Sequence, residues 1–370
     1  MISNQEFVNI TRSKFNNATK NPRPFTAGFF ITKACNLRCK LCGVGAGEPL
    51  DYELPTEEVF KVVDNMAEAG LSHISFSGGE PTVRKDFFEV INYASKRIRS
   101  IGVVTNGLVV DREYARKLVL AGAGSVMVSL DGAKAETHDF NRGEGSYEKA
   151  IQAIKNCQSA GVGTVRTSFT ISRTNYHELQ DIIKLTLDLG IALQVQEFAA
   201  RGRGAGREDL VLTRRMRRDM QRLLYRCQVT HGLNKFGFEN CYIVSEDMET
   251  QKICTDSSLS SDISDFCVGC LAGIYSFFLN SDGTMKLCGG YAEGILGDLK
   301  EQKLSDIWRN SEILHHIRNR DDLKGRCGSC TYRYICGGCR INAYLINRSV
   351  KEEDPACWTD RKESELDISY

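Results

Sequence analysis

The sequence predicts an α/β fold of six strand–helix units, followed by a smaller loop-rich region. Three observations predict it. Short apolar strands alternate with amphipathic helices over residues 26–198, the pattern of parallel strands with helices outside. Distinctive short motifs recur at the ends of those strands, where parallel α/β folds bind ligands. Cysteines then crowd the region between residues 267 and 357.

The elements follow in order. Thr26–Thr32 reads as a strand running into a cysteine-bearing loop. A helix begins near Thr56, with Glu57 and Glu58 in its first turn, and Gly70 closes it. His73–Ser77 is a strand that ends in Gly78-Gly79-Glu80-Pro81. A helix over Lys85–Arg97 leads to the strand Ile101–Thr105 and the turn Asn106-Gly107. Helix 111–121, strand Ser125–Ser129, helix 146–160, strand Thr164–Ile171, helix 177–189 and strand Ala192–Phe198 complete the series. Six such units fit a partial barrel as well as an open sheet. The expected limits are an N-terminal extension 1–24, an α/β unit 25–225, a linking region 226–266 and a cysteine-rich domain 267–370.

Composition narrows the class. A net charge of +1 over 370 residues gives no global attraction to nucleic acid or anionic lipid. Six prolines and no low-complexity tract argue against long disordered linkers. The start, Met1-Ile-Ser-Asn-Gln-Glu-Phe-Val, lacks the apolar core of a signal peptide. The longest apolar run, Leu271–Leu279, falls far short of a membrane span. Fifteen cysteines in a chain too long to need disulfide staples point to a cytoplasmic protein whose thiols bind metal.

The sharpest signal is Cys35, Cys39 and Cys42, spaced C-x3-C-x2-C within Lys33-Ala-Cys-Asn-Leu-Arg-Cys-Lys-Leu-Cys-Gly43. Three thiolates hold a four-iron cluster by three of its irons and leave the fourth open. An electron carrier normally fills all four positions with Cys, and an open metal position marks catalysis. Zinc also takes C-x2-C pairs, but it does not explain three ligands plus a vacancy.

The cysteine loop, the Gly78-Gly79-Glu80-Pro81 turn, Thr105-Asn-Gly107 and Ser129-Leu-Asp-Gly132 together resemble the radical S-adenosylmethionine (SAM) enzymes over roughly residues 25–225. The resemblance implies a partial (β/α)6 barrel. It implies that SAM chelates the open iron of a catalytic [4Fe-4S] cluster. Glu80 and the carbonyls of Gly78 and Gly79 would hold the SAM amino group. Ser129 and Asp131 would lie near the ribose, and Arg142 near the SAM carboxylate. Gln196 and Glu197, ending the sixth strand, are further candidates for SAM or substrate. Reductive cleavage of SAM would give a 5′-deoxyadenosyl radical that removes a substrate hydrogen. A flavodoxin- or ferredoxin-type donor would supply the electron.

A second set is Cys270, Gly283 and Cys288 in a C-x12-G-x4-C pattern, then Cys327, Cys330, Cys336, Cys339 and Cys357. It resembles the SPASM extension of that family, which carries two auxiliary [4Fe-4S] clusters. By the family's interleaving, Cys270, Cys288 and Cys339 hold the first. Cys327, Cys330, Cys336 and Cys357 hold the second. Cys267 is the favoured fourth ligand of the first cluster and Cys254 the lesser one. With neither, that cluster too has an open iron. The clusters would staple a loop-rich region with little core.

Other residues have plainer readings. Cys157 and Cys227 read as buried apolar thiols in helices, and Cys241 has no partner at ligand spacing. The arginines at 201, 203, 207, 214, 215, 217 and 218 read first as a solvated helix face and loop. The rival reading sets Arg201 and Arg203 on substrate carboxylates at the mouth of the barrel. No residue is assigned as a catalytic acid or base.

Substrate motifs are scarce. The SPASM resemblance covers maturases of ribosomal peptides and enzymes that alter tetrapyrrole side chains. Only about 25 residues precede the first strand, too few for a fused leader-peptide-binding winged helix. The expected substrate is a peptide or peptide-derived molecule, with a separate recognition protein as a possible partner. The alternative is a tetrapyrrole, whose propionates suit the arginine loop. The reading of another class is a non-catalytic iron–sulfur electron-transfer or scaffold protein.

Overall fold

Strand periodicity, not helix propensity, organises this chain, and a computed structural model shows how. It describes residues 3–232, 235–238, 269–289, 294–359 and 361–368. Helix α1 (Asn4–Lys20) comes first, its N-cap Ser3 accepting the Glu6 N–H. Six strand–helix units follow as β1 (Thr26–Thr32), α2 (Thr56–Glu68), β2 (His73–Gly78), α3 (Phe87–Ser95), β3 (Ser100–Thr105), α4 (Arg112–Ala121) and β4 (Ser125–Ser129). Then come α5 (Ala135–Arg142), α6 (Ser146–Ser159), β5 (Thr164–Ile171), α7 (Leu179–Asp188) and β6 (Ala192–Glu197). The sequence reading contains neither α1 nor α5.

Strands β1 to β6 pair in chain order and all in parallel, from Thr26 opposite His73 to Arg166 opposite Ala192. This is the partial α/β barrel expected. Its wall is built by alternation: Phe29, Phe76, Val103, Val126, Phe169 and Val195 are buried, as are Val59, Val63, Val90 and Ile154 on the covering helices. Each such side chain contributes about 1.5–3 kcal/mol.

The boundary between the two domains is less sharp than the sequence suggests. Helix α8 (Arg214–His231) continues past residue 225, and β7 (Phe236–Phe238) adds to β6. At the opposite edge β8 (Ser276–Leu279) pairs parallel with β1, Thr26 opposite Ser276. β9 (Thr284–Lys286) and β10 (Ile295–Asp298) extend it as an antiparallel meander. Among the described residues the sheet therefore runs β10-β9-β8-β1-β2-β3-β4-β5-β6-β7. The cysteine-rich region is a continuation of the barrel sheet, and Cys288 emerges just beyond β9.

Short helices α9 (Leu304–Asn310), α10 (Glu312–Ile317), α11 (Gly325–Ser329) and α12 (Arg340–Asn347) complete the C-terminal region. Trp308 of α9 is buried beside Phe277. Helix α1 packs beneath the cysteine loops through Phe7 on Tyr332 and Phe15 on Tyr334, and Arg12 pairs with Asp321 at 2.8 Å. Among the described residues no helix is long and apolar enough to cross a membrane.

Candidate functional site

The cysteine loop leaves β1 and is closed at its base, where Cys35 N–H donates to the Gly47 carbonyl and Gly47 N–H to that of Lys33. Within it Leu37 N–H points at Cys35 Sγ and Ala46 N–H at Cys42 Sγ, each at 3.4 Å. Amide donors to sulfur stabilise thiolate and tune an iron–sulfur centre. Burial pushes the Cys39 thiol up to about 11, so binding metal requires the ligand to give up its proton. Arg203 clamps the loop from outside: Nε donates to the Cys39 carbonyl at 2.8 Å and Nη1 to that of Ala46. Its neighbour Gly202 has φ +59, and a Cβ there would stand 2.4 Å from the Cys42 carbonyl oxygen. Arg203 thus shapes the cysteine loop. The Arg201 Nε lies 3.3 Å from where a Cβ on Gly43 would be.

The Gly78-Gly79-Glu80-Pro81 turn docks directly on the chain entering that loop. Gly79 N–H donates to the Thr32 carbonyl and Glu80 N–H to that of Ala34. A Cβ on Gly79 would sit 2.1 Å from the Ala34 oxygen, so only glycine permits this approach. Glu80 is 1% exposed. Its Oε1 accepts from Thr82 N, Thr82 Oγ1 and Thr105 Oγ1, and its Oε2 from Asn106 N. A carboxylate offers about four acceptor positions. The Glu80 side chain is therefore largely committed to the β2 and β3 turns, and Oε2, with one donor, is the oxygen less fully used. Asn106 Nδ2 in turn donates to Asn36 of the cysteine loop.

Asp131 is 3% exposed and sits at the end of β4. Its Oδ2 accepts from Asn141 Nδ2 and from Arg142 Nε at 2.7 Å, and its Oδ1 from Thr170 N. Burial alone would raise this carboxyl, but the Arg142 guanidinium overrides it and holds it below the usual range. Asp131 N–H donates to Nδ1 of the buried His138. Ser129 lies beside Ser168 at 3.4 Å. Asn141 completes the link: its carbonyl accepts Lys40 N–H and its Oδ1 accepts Leu41 N–H, both at 2.9 Å. Helix α5 therefore joins the cysteine loop, Asp131 and Arg142. No spacing rule marks Asn141 in the sequence.

The arginines of α8 are a correction. Glu197 Oε2 pairs with fully buried Arg217, Nε at 2.6 Å, while among the described residues its buried Oε1 has no hydrogen-bond partner. Arg217 and Arg214 also donate to the carbonyls of Ala356 and Pro355. Arg215 pairs with Glu363 and Asp367. This run is a clasp for the C-terminal segment, with two members buried, and not a solvated face.

Among the C-terminal cysteines, Cys270 and Cys288 lie near Cys339, and Cys327 lies near Cys357. Burial, then Asp354, Cys270 and Cys288, push the Cys339 thiol well above its ordinary range. Burial, with Asp354 and Cys327, takes Cys357 up to about 11. Backbone N–H groups of Tyr332, Gly338, Asn342 and Asp354 point at the sulfurs of Cys330, Cys336, Cys339 and Cys327, each at 3.4 Å. Asp354, fully buried, ties the Cys339 N–H at 2.6 Å to the Ala356 N–H at 2.9 Å. Among the described residues no three His, Cys, Asp or Glu side chains converge on one point as a single metal ion requires. A cubane takes one thiolate per corner, and sulfur donors with amide hydrogen bonds fit it. Cys254 and Cys267, the two candidates for the remaining ligand, and Cys241 lie outside the described residues.

Comparison with known proteins agrees with this geometry. Residues 29–186 match the model of the radical SAM superfamily, and residues 270–331 that of the SPASM iron–sulfur cluster-binding domain. An AdoMet-dependent heme synthase of Methanosarcina barkeri is 31% identical over 335 residues, covering 88% of this chain and 94% of that protein. This chain belongs to the radical SAM/SPASM enzymes. The mycofactocin maturase MftC of Mycolicibacterium smegmatis is 28% identical over 339 residues, covering 90% of this chain and 82% of that protein. Streptococcus suis SuiB bound to S-adenosylmethionine shares the fold, with a TM-score of 0.71 and 17% identity over 94% of this chain and 81% of that one. As a radical SAM/SPASM enzyme the chain is an oxidoreductase that binds SAM and a catalytic [4Fe-4S] cluster, with a domain of the kind that carries auxiliary clusters.

Proposed function

We propose that this radical SAM/SPASM enzyme removes a hydrogen from a side chain of a carboxylate-bearing tetrapyrrole. One observation carries the reading: an aromatic and cationic wall between the cysteine loop and Cys288. Phe30 of β1 and Phe278 of β8 lie with ring centroids 5.5 Å apart at 49°. Lys286 Nζ stands 4.9 Å from the Phe30 centroid and is only 8% exposed. Burial above all, aided by Arg201 and opposed by Cys288 and Asp282, brings its ammonium down to about 8. It thus remains mostly charged at neutral pH. Arg201 and Lys286 therefore share one neighbourhood, beside Gly43 on one side and Cys288 on the other. Flat rings favour a conjugated macrocycle, and two cations favour its carboxylates.

Relatives named for heme synthesis, at 29–31% identity, and an Fe-coproporphyrin III synthase of Methanosarcina barkeri, at 30%, support the same substrate class. The peptide reading draws support from mycofactocin maturases at 27–28% identity. SAM, when bound at the open iron held through Cys35, Cys39 and Cys42, supplies the hydrogen-abstracting radical. The chain's own work is to hold Arg142 and Asp131 against the cysteine loop, to bury the site, and to orient the substrate along the wall. A flavodoxin- or ferredoxin-type donor supplies the electron.

The test is anaerobic incubation of the reduced, iron-loaded protein with SAM and Fe-coproporphyrin III. The porphyrin is expected to accelerate formation of 5′-deoxyadenosine and to lose hydrogen from its propionates. Release of 5′-deoxyadenosine that ignores the porphyrin, but responds to a short peptide encoded beside this chain, would favour the maturase reading.

A further inference from the structure

Two buried arginines enclose the turn Cys336-Gly337-Gly338-Cys339. Arg320 is 2% exposed and Arg340 4%. Arg320 Nη1 donates to the Gly337 carbonyl at 3.3 Å, and the Phe15 ring of α1 covers its other side at 5.2 Å. Arg340 Nη2 donates to Cys327 Sγ at 3.4 Å. Its Nη1 takes the carbonyls of Val350 and Glu352 at 2.9 and 2.6 Å. Both glycines have positive φ, +70 and +65. A Cβ on Gly337 would stand 1.8 Å from Arg320 Nη1, and one on Gly338 2.8 Å from Arg340 Nη2 and 3.2 Å from Cys327 Sγ. The Gly-Gly pair is thus a slot into which the two guanidinium groups fit.

The surroundings of Arg320 are unusual for a buried cation. Cys336 and Cys327 of one cysteine set and Cys270 of the other lie within its electrostatic reach, with Arg340 as a like charge nearby. Guanidinium does not shed its proton in proteins, and burying it is costly without compensating negative charge. A cluster held by thiolates is net anionic. When it takes one electron it becomes more so, with no bond or proton exchanged, and a fixed cation stabilises the reduced form more than the oxidised one.

We propose that Arg320 and Arg340 raise the reduction potential of the cluster held by Cys327, Cys330, Cys336 and Cys357, and that Arg320 couples its charge state to the Cys270, Cys288 and Cys339 set. This rests on that ligand assignment but not on the identity of the substrate. Both arginines are positioning residues: they would act through the clusters that the cysteines hold.

The full chain, anaerobically loaded with iron and sulfide, is titrated with dithionite and followed by electron paramagnetic resonance. Arg320→Met is expected to lower the ratio of reduced to oxidised second cluster about tenfold at fixed potential, or about 59 mV for a one-electron couple. Arg320→Lys keeps the charge and is expected to restore most of the shift. The signal of the N-terminal cluster serves as the internal reference. A fully loaded Arg320→Met protein with an unmoved midpoint overturns the proposal. Should that variant fail to load, Arg340→Gln, which loses the contact with Cys327, decides by the same readout. The ligand assignment is checked separately with the double variant Cys327→Ala and Cys330→Ala, which leaves that set two thiolates: retention of every cluster signal there refutes the assignment, whatever the arginine variants show.

Discussion

Asn141 bridges Asp131 and the cysteine loop: its Nδ2 donates to Asp131 Oδ2 while its Oδ1 accepts the Leu41 N–H at 2.9 Å. One amide thereby ties the cysteine loop to the acid that pairs with Arg142.

Asn141→Ala leaves Leu41 N–H without its acceptor and Asp131 one donor short. Each unsatisfied buried group costs about 1–3 kcal/mol. The variant is expected to unfold at lower denaturant and to bind SAM more weakly, with fewer irons retained at the N-terminal site. Denaturation midpoints and equilibrium dialysis of SAM under anaerobic conditions check this. Unchanged values for both would show that Arg203 and the backbone contacts of the loop suffice to hold it.

His138 makes stability depend on pH. Burial lowers its pKa to about 4, Arg142 adding to the effect and Asp131 and Asp139 opposing it; Nδ1 accepts the Asp131 N–H, so the folded ring is neutral. The unfolded ring binds a proton below about pH 6.5. The stabilisation is complete above that value and is lost as pH falls toward 4, by about 3 kcal/mol at most. Urea midpoints of His138→Asn, compared with the parent across that range, are expected to show a flatter slope. Equal slopes would place the acid sensitivity elsewhere.

Lys286→Met removes one cation of the proposed substrate wall. Hydrogen bonds to charged groups contribute about 1.5–3 kcal/mol, so Fe-coproporphyrin III, followed through its visible absorption, is expected to bind roughly ten- to a hundredfold more weakly. Lys286→Arg is expected to bind within a few-fold of the parent. If the parent binds and Lys286→Met binds equally, the carboxylates are held elsewhere.

Phe15→Ala tests the strut beneath the second cysteine set. Phe15 is 1% exposed and lies between Tyr334 and Arg320. Phe→Ala changes in cores cost about 3–5 kcal/mol. Iron release to a chelator is expected to become faster at the C-terminal sites and to stay unchanged at the N-terminal one.

How far the sequence led varies by element. The strands β1, β4 and β5 carry the bounds that alternation assigns them, because side chains buried along a wall must recur in a fixed rhythm. Helix α5 escaped because its eight residues are mostly polar, with only His138 buried, so its reason for being helical is the contact of Asn141 and Arg142 with other segments. Helix α1 escaped because its apolar face meets Tyr332 and Tyr334, more than three hundred residues away. The arginines of α8 look solvated as a string of letters. Their partners, Glu197 and the carbonyls of Pro355 and Ala356, come from β6 and the C-terminal segment.

By itself the sequence determined the chemistry and the architecture: the cysteine spacing, the glycine-rich strand ends and the strand rhythm are all local, set by backbone geometry over a few residues. Tertiary structure alone decided which charges meet. Arg203 faces the cysteine loop, Lys286 faces Arg201, Arg217 faces Glu197 and Arg320 faces both C-terminal cysteine sets, because strand order and burial bring distant segments together and a buried charge must take whatever partner the packing supplies.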